Sequence, residues 1–196
     1  MNRIPRSVKI LYTVWMAVWV PLYWQHNGPA NFLWLCDFAN WILFLAIWFE
    51  SALLLSSQLA GILLIQLVWA VDFGCGLLLG RHPIGGTEYM FDPAQPLWLR
   101  GLSLFHLWTV PLLVWLVRRV GYDRRGWWVQ TAIAAVLFPL GVVAGTREQN
   151  LNWIHAPFGL PQTTFEPLLF AVVAVPIAAL LLFLPGDWIA RRYFVK

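Results

Sequence analysis

Charge is what this sequence has least of. Asp, Glu, Lys and Arg make up 11% of its 196 residues, where a soluble domain carries about a quarter. Too few polar side chains remain to cover a globule in water, which excludes a soluble enzyme, a disordered tail and a coiled coil. Two cysteines are too few to frame a disulfide-rich secreted domain. No lysine falls inside an apolar run, which argues against a retinal Schiff base. There is no G-x-S-x-G elbow, P-loop or Rossmann fingerprint, and the four histidines are scattered without metal-ligand spacing. No metal and no cofactor are therefore expected. What the sequence has is apolar mass: 60% hydrophobic residues, of which a large share is aromatic, and a mean hydropathy of +0.67. This composition points to a small integral membrane protein, all-α, forming a single transmembrane domain over residues 1–196.

A transmembrane helix needs about 20 mostly apolar residues. Six stretches qualify as expected spans, near residues 10–23, 31–49, 53–79, 97–117, 127–144 and 167–184. The first ends near Pro21, the third is long enough to tilt or to be broken at Gly74 and Gly76, and Pro111 marks an expected kink in the fourth. The apolar runs are too long for outer-membrane strands. The N-terminus is basic, but no small-residue cleavage site follows, so no cleavable signal is expected.

Six spans put both termini on one side. That side receives Arg3, Arg6, Lys9, Arg118, Arg119, Arg124, Arg125, Arg191, Arg192 and Lys196, and the other only Arg81, Arg100 and Arg147. The positive-inside rule then makes both termini cytoplasmic, in a bacterial inner membrane on this reading. The same distribution explains the net charge of +4 without nucleic acid, since no basic stripe is interleaved with aromatics.

Polar groups inside a membrane are costly and mark candidate sites. Cys36, Asp37 and Asn40 fall in the outer part of the second span, Cys36 about 8 Å below its start at the helical rise. Asp72 and Cys75 fall near the outer end of the third. Ser103, His106 and Thr109 are spaced three apart in the fourth, on one stripe. The outer loops add His82, Asn152 and His155, whereas the inner half offers almost nothing comparable. This asymmetry predicts an outward-facing cavity. Each residue also has a plainer role: Cys36 as a small buried hydrophobe, His106 on a carbonyl across helices, Asp37 as a helix-start carboxylate, Asp72 paired with a loop arginine, and Cys36 with Cys75 as a disulfide.

Three stretches in order, FLWLCD at 32–37, FHLWTVP at 105–111 and TREQNLNWIHAP at 146–157, with QLVWAVD at 66–72 between the first two, resemble the YwaF-like family of integral membrane proteins. That family is similar to a vertebrate transmembrane glycerophospholipid acyltransferase. The resemblance covers about residues 31–157. It implies that Cys36 and His106 form a catalytic pair and that Asn152 matches the asparagine of the third motif. Where family members often carry a histidine beside the cysteine, this chain has Trp34 and Asp37, and an adjacent carboxylate raises a thiol pKa.

On that implied scheme the Cys36 thiolate takes an acyl group from a lipid ester as a thioester, and His106 serves as base. Asn152 would donate to the oxyanion and Asp72 would orient the imidazole, with Asp37, Asn40, Ser103 and His155 lining the substrate site. A membrane lipid is the expected partner. The competing reading is a non-catalytic lipid-binding protein or a subunit of another membrane protein, with the polar cluster fixing helix packing.

Overall fold

The computed structural model describes residues 4–194. Arg3 and Lys196, assigned above to the cytoplasmic side, lie outside the described residues. Among the described residues there is no strand, and the helices form six rods joined by turns and loops.

The first rod, α1 (Arg6–Asn27), buries Lys9, Tyr12, Met16, Trp19 and Tyr23. Their alternating three- and four-residue spacing makes a single inward stripe, while Leu11, Val14 and Val18 face outward. The helix runs past Pro21 and stops only at Gly28, whose φ of 77° a side chain would disfavour. Pro21 removes one backbone donor, and the aromatic stripe on either side of it still packs: Trp19 meets Phe32 and Phe105 edge-on. A short 3-10 turn, Pro29–Leu33, leads into α2 (Leu35–Phe49).

A tight turn at Glu50 and Ser51 reverses the chain into α3 (Ala52–Leu79). Ser51 caps the new helix by accepting from the Leu54 amide at 3.3 Å. On the same end, Lys9 meets Glu50 at 2.8 Å and ties the start of α1 to this turn. At 28 residues α3 is the central rod, and it packs against α2 and against the helices Phe105–Val120, Gly126–Ala144 and Leu184–Ile189. It is continuous through Gly74 and Gly76, so of the tilt or break expected there the break does not occur. Gly76 instead leaves room for the rings of His82 and Phe91, which a Cβ there would meet.

The fourth rod is interrupted at Leu104, between α4 (Leu97–Ser103) and α5 (Phe105–Val120). The interruption falls seven residues ahead of the expected kink at Pro111, which lies inside α5. The fifth rod is α6 (Gly126–Ala144). The last comprises α7 (Pro167–Ala178), a wide i→i+5 turn over Ala179–Phe183, and α8 (Leu184–Ile189), followed by a second wide turn, Ala190–Phe194. The first wide turn lies between Pro176 and Pro185, where missing N–H donors break the i→i−4 ladder.

Four of the rods are long and apolar enough to cross a membrane: Ala52–Leu79, Leu97–Val120, Gly126–Ala144 and Pro167–Phe194. The fold is thus an all-α bundle of multi-pass membrane character, with fewer self-sufficient spans than the six expected. The two short of the criterion have visible reasons. α2 has 15 residues, about 22 Å of helix against a hydrocarbon core of about 30 Å. α1 is diluted by the polar and aromatic residues of its buried stripe.

The half of the bundle that holds the α2–α3 turn is not bare of polar groups, which corrects the one-sidedness read from the sequence. Ser56, Ser57, Gln58 and Gln130 are all buried. Gln58 donates to Gln130 Oε1 across α3 and α6 at 3.1 Å, and Ser56 Oγ accepts from the Asp123 amide at 2.8 Å. Nearby, Tyr122 donates to Asp187 at 2.7 Å, and Arg191 pairs with the same carboxylate at 2.7 Å. Most of these polar atoms satisfy one another, as buried polar groups generally do.

Candidate functional site

One end of the bundle is built from the loops after α1, α3 and α6. Asp72, buried in the last turns of α3, organises the second of them. Its Oδ1 accepts from the Ile84 amide at 2.8 Å and the Gly85 amide at 3.3 Å. Its Oδ2 accepts from the Gly86 amide at 3.1 Å and the Thr87 hydroxyl at 2.7 Å. Since Thr87 donates to Asp72, it accepts from His82 Nδ1, 2.8 Å away. Four donors fill the two carboxylate oxygens, so Asp72 latches the loop and does not orient His106. Asp72, His82 and Glu88 bring ligating atoms within 4.8 Å of one another, but the saturated Asp72 leaves no lone pair free for a cation.

Asn152 has a similar role in the third loop. Its Oδ1 accepts from the Leu35 amide at 2.9 Å and its Nδ2 donates to the Leu33 carbonyl at 2.8 Å. The amide therefore clamps the entry to α2, where an oxyanion donor was expected. Asn150 Oδ1 accepts from the amides of His155 and Ala156, so His155 joins the network through its backbone. Asn150, Asn152, Trp153 and Phe158 all have positive φ, a backbone shape that these hydrogen bonds hold in place.

Deeper in the bundle, several predicted residues converge. Asn31 donates to Asp37 Oδ2 at 2.6 Å. Asn40 is taken up structurally: its Oδ1 accepts from Tyr12 at 3.0 Å and its Nδ2 donates to the Cys36 carbonyl at 3.3 Å. Ser103 Oγ is 2.6 Å from the Tyr23 hydroxyl. Tyr89 sits in the second loop, at the centre of the 3-10 turn Glu88–Met90. Burial pushes the Tyr89 phenol upward, so it stays protonated. The two cysteines are free, and no disulfide joins them.

His106 sits at the start of α5, 7% exposed. Its Nδ1 is 2.7 Å from the Ser103 carbonyl. A carbonyl only accepts, so Nδ1 carries the proton and Nε2 of the neutral ring keeps its lone pair. The ring stacks on Trp69 at 4.5 Å and 14°. Among the described residues no hydrogen bond joins the Cys36 thiol to this ring.

His106 faces a lateral cleft of ≈ 320 Å3 between α3 and α5. Its walls are apolar, chiefly Leu63, Leu67, Leu107 and Val110, with Ile189 and Phe194 of the last rod closing one side and Gln66 as the other polar side chain among the described residues. Leu67 and Leu107 are exposed, so the cleft opens on the outer surface of the bundle. Gln66 is 2% exposed, and neither Nε2 nor Oε1 has a hydrogen-bond partner. Leaving such a group unpaired costs about 1–3 kcal/mol. Gln66, Trp69, Tyr23 and Tyr89 were not singled out from the sequence. A glutamine within a long apolar helix was the available signal, since polar residues in a span are functional candidates by default.

A scan against protein-family models finds no match to this chain, and searches among curated proteins and solved structures find none either.

Proposed function

We propose that this chain is a lipid-handling membrane protein whose working site is the cleft between α3 and α5, with His106 as its proton acceptor. The observation that carries the reading is the joint geometry of His106: one ring nitrogen is fixed by the Ser103 carbonyl and the ring lines an apolar cleft. A neutral imidazole held this way is arranged as a general base. The reaction it suits is acyl transfer from, or hydrolysis of, a membrane lipid. The resemblance to the YwaF-like family supports Cys36 as the nucleophile; without it, His106 activates water or a lipid hydroxyl directly. The topology that goes with this reading has six crossings, α1 and α2 included, both termini in the cytoplasm of a bacterium and the cleft accessible from the outer half of the inner membrane.

A second reading is favoured by Asp72, Asn152 and Asn40, whose side chains are all engaged in holding backbone or other side chains. On that reading the protein binds lipid or a partner subunit without chemistry. The test is an acyl-release and acyl-transfer assay on the purified chain in phospholipid vesicles. His106→Ala is expected to abolish turnover, and Cys36→Ala to abolish it together with any hydroxylamine-sensitive acyl adduct. Turnover retained by Cys36→Ala but lost in His106→Ala would assign direct base catalysis. No turnover by the unaltered chain on any lipid offered would leave the binding reading in possession.

A further inference from the structure

The occupant of the cleft is specified further by Gln66. Gln66 lines the cleft, and its side-chain amide is almost fully buried with no partner at either end. Gln66 and Trp69 stand three residues apart on α3, hence on one stripe, and Trp69 stacks on His106. Gln66 and His106 both line the cleft, and Trp69 links the Gln66 stripe to the His106 ring. Between them they present an N–H donor and a carbonyl acceptor from Gln66 and, from His106, the Nε2 lone pair. Among the described residues no lysine, arginine or carboxylate lines the cleft, so its described walls offer nothing that would neutralise a phosphate.

We infer that the cleft binds the hydroxyl end of an uncharged lipid alcohol, with Gln66 Nε2 donating to the hydroxyl oxygen and the hydroxyl donating to His106 Nε2. Only a group that both accepts and donates completes this pair; an ester or ether oxygen accepts alone. The volume of ≈ 320 Å3 is at the small end of ligand sites, roughly 300–1,000 Å3, which suits the head and first part of one chain and not a whole phospholipid. The inference rests on the reading of the cleft as a lipid site and adds the chemical class of the ligand.

The test uses the full chain in nanodiscs and two photoreactive probes: a long-chain primary alcohol carrying a diazirine near its hydroxyl, and its methyl ether. The alcohol is expected to label peptides spanning 63–70 and 106–110, about tenfold more than the ether, the margin of one or two hydrogen bonds. Gln66→Leu is expected to erase that preference while leaving the thermal midpoint unchanged or raised, because it removes an unpaired buried amide. Equal labelling of the cleft by both probes would overturn hydroxyl recognition and leave the lipid cleft standing. Labelling confined to other peptides would overturn both.

Discussion

At the scale of single residues, the structure sorts the polar groups by what they already hold. Asp72 is the clearest case, with four donors on one carboxylate. Asp72→Ala should destabilise the protein by about 3 kcal/mol, from lost charged hydrogen bonds and amides left unpaired. Hydrogen exchange should rise at Ile84, Gly85 and Gly86 in particular. A variant with unchanged exchange at those amides would show that the latch does not hold the loop. Polar residues such as Asp72, Asn152 and His106 were legible in the sequence as suspects, because a polar group in an apolar chain stands out. Their roles were not legible, because a role depends on what lies opposite across 12 residues for Asp72 and Ile84, or 117 for Leu35 and Asn152. Gln66 was passed over for the opposite reason: nothing near it in sequence hints that its amide is left unpaired.

At the scale of elements, packing depends on small residues along α3. A Cβ on Gly186 would run into the Ala60 carbonyl, and one on Gly126 would come within 2.7 Å of Ser56 backbone. These glycines let α8 and the start of α6 approach the α3 backbone closely, the usual device for packing helices in lipid. Gly186→Ala should therefore destabilise by about 1–3 kcal/mol, since backbone cannot move aside as a side chain can. Gly74→Ala, with nothing within 4 Å of the new methyl, should be neutral or stabilising by up to about 1 kcal/mol through helix propensity. Thermal unfolding in detergent reads both, and equal effects would contradict the close approach at Gly186. The long apolar helices were readable from hydropathy alone. Their breaks were not: Pro and Gly weaken a helix locally, but packing on the aromatic face decides whether α1 continues past Pro21.

At the scale of the whole molecule, each end of the bundle is tied by polar contacts and the middle opens sideways. Lys9 with Glu50, Ser56 with Asp123 and Tyr122 with Asp187 fasten one end. The Asp72 latch and the Asn152 clamp fasten the other. Between them lies the cleft, its aliphatic mouth on the surface that faces lipid if the four long rods cross a membrane. Composition was enough to read the membrane character, because burying or exposing so much apolar surface leaves few alternatives. The cleft itself is a product of how α3 and α5 are set against each other and has no signature in the chain. The most direct measurement on it is the lipid retained by the purified protein, read by native mass spectrometry, in the unaltered chain and in Ala70→Trp, which fills the cleft. A single bound lipid in the unaltered chain, lost in a folded Ala70→Trp variant, is the expected result. The same lipid complement in both proteins would contradict a lipid site between α3 and α5.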